Sequence, residues 1–361
     1  MSTGSPLAAV LPVLAIGALM CSLPAVTRPT LPFGVRVPRE RAGAPVIRRE
    51  RRAYYRRTAA IGACCTVVAV TAQGYWSWLP RIILLPELAA GYACFWVARR
   101  KIAAVKHADG WFAGLRQIVV ADTSWRTDPP RFPVRWLIPA LAVMTATVAV
   151  GALRYPGLPS HIVTGSGHRV PKSAVSLLVV AGQLYFTAVY SGLMLIVHRS
   201  RPDTEAADPA ASALRYRRFL AAFTRAMLTM AALADTSLLL IALPDWQVYR
   251  LSGVGRALPL LPFTAGVLLL AAVATRTGQG GSRLNGNVRG HARAAGTDRD
   301  DDRFWKAGLF YVNRDDPALV VGARFGVGWA PNLGNRAVWP LIAGTAAAWA
   351  GLAVLGAAAG M

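Results

Sequence analysis

The chain has 361 residues, 54% of them hydrophobic and only 16% charged, yet it carries a formal net charge of +23. A soluble domain normally gives roughly a quarter of its residues to charge, and too many apolar runs here lack a polar face to turn toward water. A soluble globular class is excluded, and the pattern predicts an all-α polytopic membrane protein of eight transmembrane helices with a small cytoplasmic module containing a β-hairpin.

Eight runs near 6–26, 59–79, 82–98, 136–153, 174–197, 219–242, 258–274 and 340–359 have the apolarity a bilayer demands, with lengths around the roughly 17–25 residues needed to cross it. The first helix (1–26) has no basic residue before it and an arginine-rich segment after it, the reverse of a signal peptide, so it reads as retained. In the basic cytoplasmic segment 27–58, Pro29, Pro32 and Pro38 forbid an immediate helix, and an Arg/Tyr-rich helix is expected from about Val46 into the second span. Helices two and three occupy 59–98. The cytoplasmic loop 99–135 continues the third helix to Gly110 or Gly114, then passes through "QIVVAD", which is β-prone.

Helices four to seven fill 136–274, interrupted by an external loop at 154–173 and by an acidic, Ala-rich stretch at 202–214 that reads as a solvated linker. Residues 275–302 read as a flexible tether. The module follows at 303–339 and the last helix at 340–359. If alternate loops share a side, one side holds 33 of the 40 Lys and Arg residues and the other six, with Arg225 inside a helix. That is a strong positive-inside signal. It places both termini outside and assigns the basicity to topology and to attraction by an anionic inner leaflet. The Gly- and Arg-rich tether lacks the aromatics that stack on bases, so no nucleic acid is expected as a partner.

Ionisable groups within apolar runs are the first functional candidates. Glu87 and Asp235 are each expected roughly 7–11 Å below the outer surface at 1.5 Å per residue, close enough to share one water-filled pocket. Arg225, in the inner half of its run, can extend to the headgroups. His161, His168 and Lys172 lie in the loop above and complete the candidate ligand pocket. The two histidines lack a third ligand in sequence, and the aspartates at 298–302 lack the glycine and closing glutamate of an EF-hand loop, so no metal site is expected. All four cysteines lie within apolar runs. No nucleophile elbow, phosphate loop, zinc-protease motif or dinucleotide fingerprint occurs. Neither an enzyme nor a cofactor is expected.

Within 303–339, "GLFYVN" and "PALVVG" flank Arg314-Asp315-Asp316 and predict a hairpin turning at Asn313–Asp316. Such a hairpin needs a partner, and "LPFGVRVP" and "QIVVAD" are the candidates. "FGV" occurs both in "LPFGVRVP" and in "RFGVGWAP".

Two regions carry a resemblance. Leu158, Pro159, Ile162, Thr164, Lys172 and Ser173 in "LPSHIVTGSGHRVPKS" resemble the extracellular loop of the SdpI-like bacterial membrane proteins, with Gly165 where that family has histidine. Phe304-Trp305-Lys306, Leu309-Phe310-Tyr311, Asp316-Pro317, Arg324-Phe325-Gly326 and Gly328-Trp329 resemble a C-terminal domain of unknown function found in such proteins. The resemblance implies a bacterial inner-membrane protein of immunity type, one that meets a secreted peptide toxin outside and signals to a cytoplasmic regulator inside. It also implies that Trp305, Tyr311, Asp316, Arg324 and Trp329 build a membrane-hugging module. The expectation is therefore a non-enzymatic sensor or immunity protein. The alternative is a small-molecule or proton-coupled transporter using Glu87 and Asp235.

Overall fold

The computed structural model describes residues 6–72, 82–112, 129–163, 169–200, 209–249, 258–284 and 301–358. Of the described residues, 73% are helical. Its α-helices are α1 (Pro6–Val26), α2 (Pro45–Ala72), α3 (Leu84–Ala108), α4 (Ile138–Arg154), α5 (Lys172–Arg199), α6 (Pro209–Asp245), α7 (Leu261–Thr277) and α8 (Val338–Ala358). Among the described residues five stretches are long and apolar enough to cross a membrane: Val134–Gly157, Lys172–Arg199, Ala211–Asp245, Leu258–Gly281 and Val338–Gly356. They contain α4 to α8. The described apolar stretch in α1 is Val13–Val26, α2 is arginine-rich in its first half, and the apolar part of α3 meets Arg99, Arg100 and Lys101. Large apolar side chains such as Leu85, Leu153, Leu184, Leu268 and Val354 face outward, a surface compatible with a membrane-embedded protein.

The helices form two groups. α1, α2 and α3 pack on one another, while α6 is flanked by α4, α5 and α7, and α8 leans on α5. The membrane-length window of α6 is 56% buried and that of α8 only 6%, so α6 is the core of its group. α6 starts ten residues before the run that predicted it, because the Ala-rich "PAASALRYRR" stretch has high helix propensity and extends the helix beyond the apolar part. Residues 202–208 of the expected linker lie outside the described residues. α2 and α3 match expectation closely: α2 starts at Pro45, and α3 is followed by Gly110 with φ 54°.

Among the described residues, six short strands form three antiparallel pairs: β1 (His161–Val163) with β2 (Arg169–Pro171), β3 (Trp305–Lys306) with β4 (Phe310–Tyr311), and β5 (Val320–Gly322) with β6 (Trp329–Pro331). The first pair caps the ends of α4, α5 and α6, with Leu158, Ile162, Val170 and Val175 closing over Trp246. The other two pairs make a module at the opposite end. The described parts of the four basic segments meet there.

The hairpin expected around Asn313–Asp316 is not formed. That stretch is a turn, but β4 and β5 on either side of it do not pair. β4 pairs back with β3 across Ala307-Gly308, and β5 pairs forward with β6. The reversal at Gly308 (φ 75°) is one a side chain would resist, since a Cβ there would lie 2.8 Å from the Arg99 side chain. A parallel bridge from Tyr311 to Asn332 joins the two pairs.

Candidate functional site

The module end is held by polar groups aimed at backbone. "LPFGVRVP" leaves α1 through two short 3-10 turns at Pro32–Gly34 and Arg39–Arg41, as its prolines require, and buries Phe33, Val35 and Val37. The Phe33 ring stacks on Phe325, with centroids 5.9 Å apart, and Phe325 lies 4.4 Å from Phe95 of α3. The two "FGV" words are thus in direct contact. Gly34 permits the approach, because a Cβ there would sit 2.9 Å from the carbonyl oxygen of Gly308.

Arg324 is the centre of this contact, with its side chain only 1% exposed. Its Nη1 donates to the Gly34 carbonyl at 3.0 Å and to Asp302 Oδ1, and its guanidinium lies over the Trp305 ring at 5.0 Å. Lys106 Nζ donates to the other Asp302 oxygen at 2.5 Å, and Arg99 Nη1 donates to the Gly34 carbonyl at 2.7 Å. Burial pushes the Asp302 carboxyl up, but Arg324 and Lys106 outweigh it and hold the group below the ordinary carboxylate value. Burial pushes the Arg99 guanidinium down, with Arg324 adding to this and Asp302 opposing it.

On its other side the module fastens to the α4–α8 group. Gln279, almost wholly buried, donates through Nε2 to the carbonyls of Ala323 and Gly328 and accepts from the Gly328 N–H. Trp329 packs between Phe219 and Phe223 and donates its indole N–H to the Tyr216 hydroxyl at 3.1 Å. Thr27, at the end of α1, accepts from the Gly326 N–H at 2.9 Å. Inside the module, Tyr311 donates to Asp316 at 3.0 Å, and Asp316 also accepts from the Ala318 N–H. The fully buried Asn332 donates to the carbonyls of Asn313, Asp316 and Ala318, and accepts from the N–H groups of Asn313 and Gly334. Trp305 is buried beside Tyr311, and Trp339 is exposed.

Trp305, Tyr311, Asp316, Arg324 and Trp329 are therefore gathered in one body. Four important groups escaped the sequence reading: Asn332, Gln279, Thr27 and the Gly34 carbonyl. The repeated "FGV" was the available signal for the last. Gln279 sits in "RTGQGGSRL", which reads as tether by composition. Instead the chain there forms a 3-10 turn at Gln279–Gly281 against α6. Residues 285–300 of the tether lie outside the described residues, as does "QIVVAD".

The candidate ligand pocket is dispersed. Glu87 is buried in the α1–α3 group, where its Oε1 lies 3.2 Å from the position of a Cβ on Gly17 of α1 and 3.7 Å from one on Gly62 of α2. Asp235 is buried in the other group. Its Oδ2 accepts from Thr187 at 2.7 Å, and its backbone carbonyl accepts from Gln183, which also donates to Thr147. The two acids thus face different helices. His161 is exposed beside Ser160, and His168 lies outside the described residues. Lys172 has a structural task, donating to the carbonyls of Tyr155 and Leu158 at 3.0 and 3.2 Å and lying over the Tyr155 ring. A cavity of about 1050 Å³ opens elsewhere, between α5, α8 and the β5–β6 pair, with an apolar lining that includes Leu184, Leu193, Trp329, Leu341 and Trp349. Among the described residues no three His, Cys, Asp or Glu side chains gather as a metal would require.

Chemically, the Arg324 centre is a clamp. Its donors are directed at backbone carbonyls and one carboxylate, and it joins helix groups that otherwise touch mainly through α1 and α7. Compared with protein families, with curated proteins and with solved structures, the chain matches none of them.

Proposed function

We propose that this chain is a multi-pass bacterial inner-membrane protein of eight spanning helices, with both termini outside, that acts as a non-enzymatic sensor of immunity type akin to the SdpI-like proteins. In this reading the β1–β2 hairpin and its surroundings meet an envelope ligand or peptide toxin, and the module passes the response to a cytoplasmic regulator. The observation that carries it is the double attachment of the module. Arg324 holds it to α1–α3 through Gly34 and Asp302–Lys106, and Gln279 and Tyr216 hold it to α6 and α7. A relative shift of the two groups must break or re-form those bonds, and a two-state element of that kind is what a signal requires.

Two measurements on the full chain test the reading. Cysteines introduced by Ser166→Cys and Val248→Cys should label from outside intact cells, and one from Asn285→Cys only after permeabilisation. Labelling at position 285 from outside overturns the orientation. Cells expressing the chain should then survive at least one secreted peptide toxin from a panel, and Arg324→Ala should abolish survival while leaving the labelling pattern unchanged. Equal survival with and without Arg324 removes the signalling role.

The second reading, a small-molecule or proton-coupled transporter using Glu87 and Asp235, draws support from the complete burial of Asp235 and from a Glu87 carboxylate with no hydrogen-bond partner among the described residues. The location of the acids in different helix groups counts against a single path. Glu87→Gln with unchanged survival and no altered proton flux in proteoliposomes would dismiss it.

A further inference from the structure

The first half of α2 carries a second feature that neither the clamp nor the acids use. Ile47, Glu50, Tyr54 and Thr58 are buried against the core, which fixes the rotation of the helix. The opposite face is thereby forced outward, and Arg48, Arg49, Arg52 and Arg56 follow one another there at helical spacing with Tyr55 beside them. These side chains and Pro45 line a shallow cavity of about 740 Å³. Among the described residues none of the four arginines is ion-paired, and Arg48 Nη1 donates to the Gly43 carbonyl at 2.6 Å. The acid nearest in sequence within α2, Glu50, points away and is bound to Lys101 of α3 at 3.2 Å. A concave face of four unneutralised guanidiniums is left.

We propose that this face binds the headgroup of an anionic membrane phospholipid, with preference for a headgroup bearing two phosphates. The proposal rests on the membrane reading above and names the lipid that reading leaves open. Position argues for a lipid. Arg56 precedes the apolar run that begins at Ala59 by three residues and Arg52 by seven, roughly 4.5 and 10 Å along the axis. The headgroup layer is about 5–7 Å deep on each side, and arginine stems extend toward it. Chemistry argues for phosphate, because a guanidinium fork matches phosphate oxygens bidentately. Span argues for two, since Arg48 and Arg56 are separated by about 12 Å, more than one phosphate can bridge.

The test is native mass spectrometry of the full chain released from nanodiscs of phosphatidylcholine containing cardiolipin, a two-phosphate lipid, or phosphatidylglycerol at equal charge. Nanodiscs expose both faces, so the result does not depend on orientation, which the cysteine labelling decides separately. Cardiolipin should be retained on the native chain in preference to phosphatidylglycerol. The variant Arg49→Gln/Arg52→Gln/Arg56→Gln should lose at least tenfold of it. The control Arg131→Gln/Arg135→Gln/Arg336→Gln removes equal charge from exposed positions and should lose less than twofold. Arg52→Lys keeps charge but not the fork and should lose severalfold, which guards against misfolding of the triple variant. Equal losses in both triple variants would reduce the face to diffuse charge. No loss in Arg52→Lys would remove the bidentate geometry. Pyrophosphate bound in detergent by a chain that retains no lipid would make this a soluble-phosphate site and overturn the proposal.

Discussion

The β1–β2 hairpin at one end of the bundle and the module at the other use the same element, two strands of two or three residues, which is marginal alone in water. They are stabilised differently. The hairpin stays within its own end of the bundle: Lys172 reaches Tyr155, seventeen residues away, and Ile162 and Val170 close over Trp246 just beyond α6. The module is long-range, with Arg324 bonded to a residue 290 positions away and Gly326 to one 299 positions away. Its long-range bonds join side chains to backbone: Arg324 to Gly34, and Gln279 and Thr27 to the module's own loop. A hairpin closed by apolar contacts covers what lies next to it. One closed by outward-reaching polar groups ties distant elements together.

That contrast can be broken first at Arg324. Arg324→Ala should destabilise the protein by about 3–5 kcal/mol, through the cavity left by a fully buried side chain and its lost charge-assisted hydrogen bonds, and raise hydrogen exchange in residues 31–37 and 301–337 together, leaving 155–175 protected. Protection lost equally at both ends would erase the distinction between them. Asn332→Ala comes next. It leaves the carbonyls of Asn313 and Asp316 without this donor, Ala318 keeping Asn335, and at about 1–3 kcal/mol per unsatisfied buried group the loss should be near 3 kcal/mol, confined to the module. Thermal melts with exchange mapping would separate it from the Arg324 effect, since Asn332 bonds only within the module. Lys172→Met should cost about 1 kcal/mol and loosen 155–175 alone. Cooperative loss at the module in that variant would mean the hairpin is not local.

The smallest effect is one of pH. Asp302 titrates below its ordinary value in the folded chain, so its contribution is complete above the ordinary carboxylate pKa, about 3.9, and disappears as pH falls through the depressed one. Its side chain is 27% exposed, and screening should limit the contribution to about 1 kcal/mol. Module exchange should rise on acidification in the native chain and respond less in Asp302→Asn. Identical profiles would place the acid sensitivity elsewhere.

The sequence made different parts of this arrangement legible for different physical reasons. Helix positions follow from apolar runs and proline breaks, and the described parts of all eight runs are helical, although α6 outgrew its run because propensity continues where hydrophobicity stops. Arg324 and Trp329 were reachable through the words they belong to. Asn332 and Gln279 were not. A side-chain amide that satisfies loop carbonyls has no periodicity, and Gly-rich surroundings give it the composition of a linker. Glu87 and Asp235 were found by their rarity in apolar runs, but sequence spacing cannot say which neighbours a helix turns them toward. They face separate groups.

The contact between the two "FGV" words has a consequence for biogenesis. Synthesis runs from the N-terminus, so the Gly34 carbonyl and the faces of Phe33 and Phe95 emerge long before Arg324 and Phe325 exist to cover them. Until the ribosome has delivered residues 324–326, the first three helices carry an uncovered aromatic face at their end. A truncated product would keep it permanently. Closure by residues 324–326 is therefore a late event of assembly, and a chaperone or protease that binds exposed aromatics could tell a finished molecule from an interrupted one at that single place.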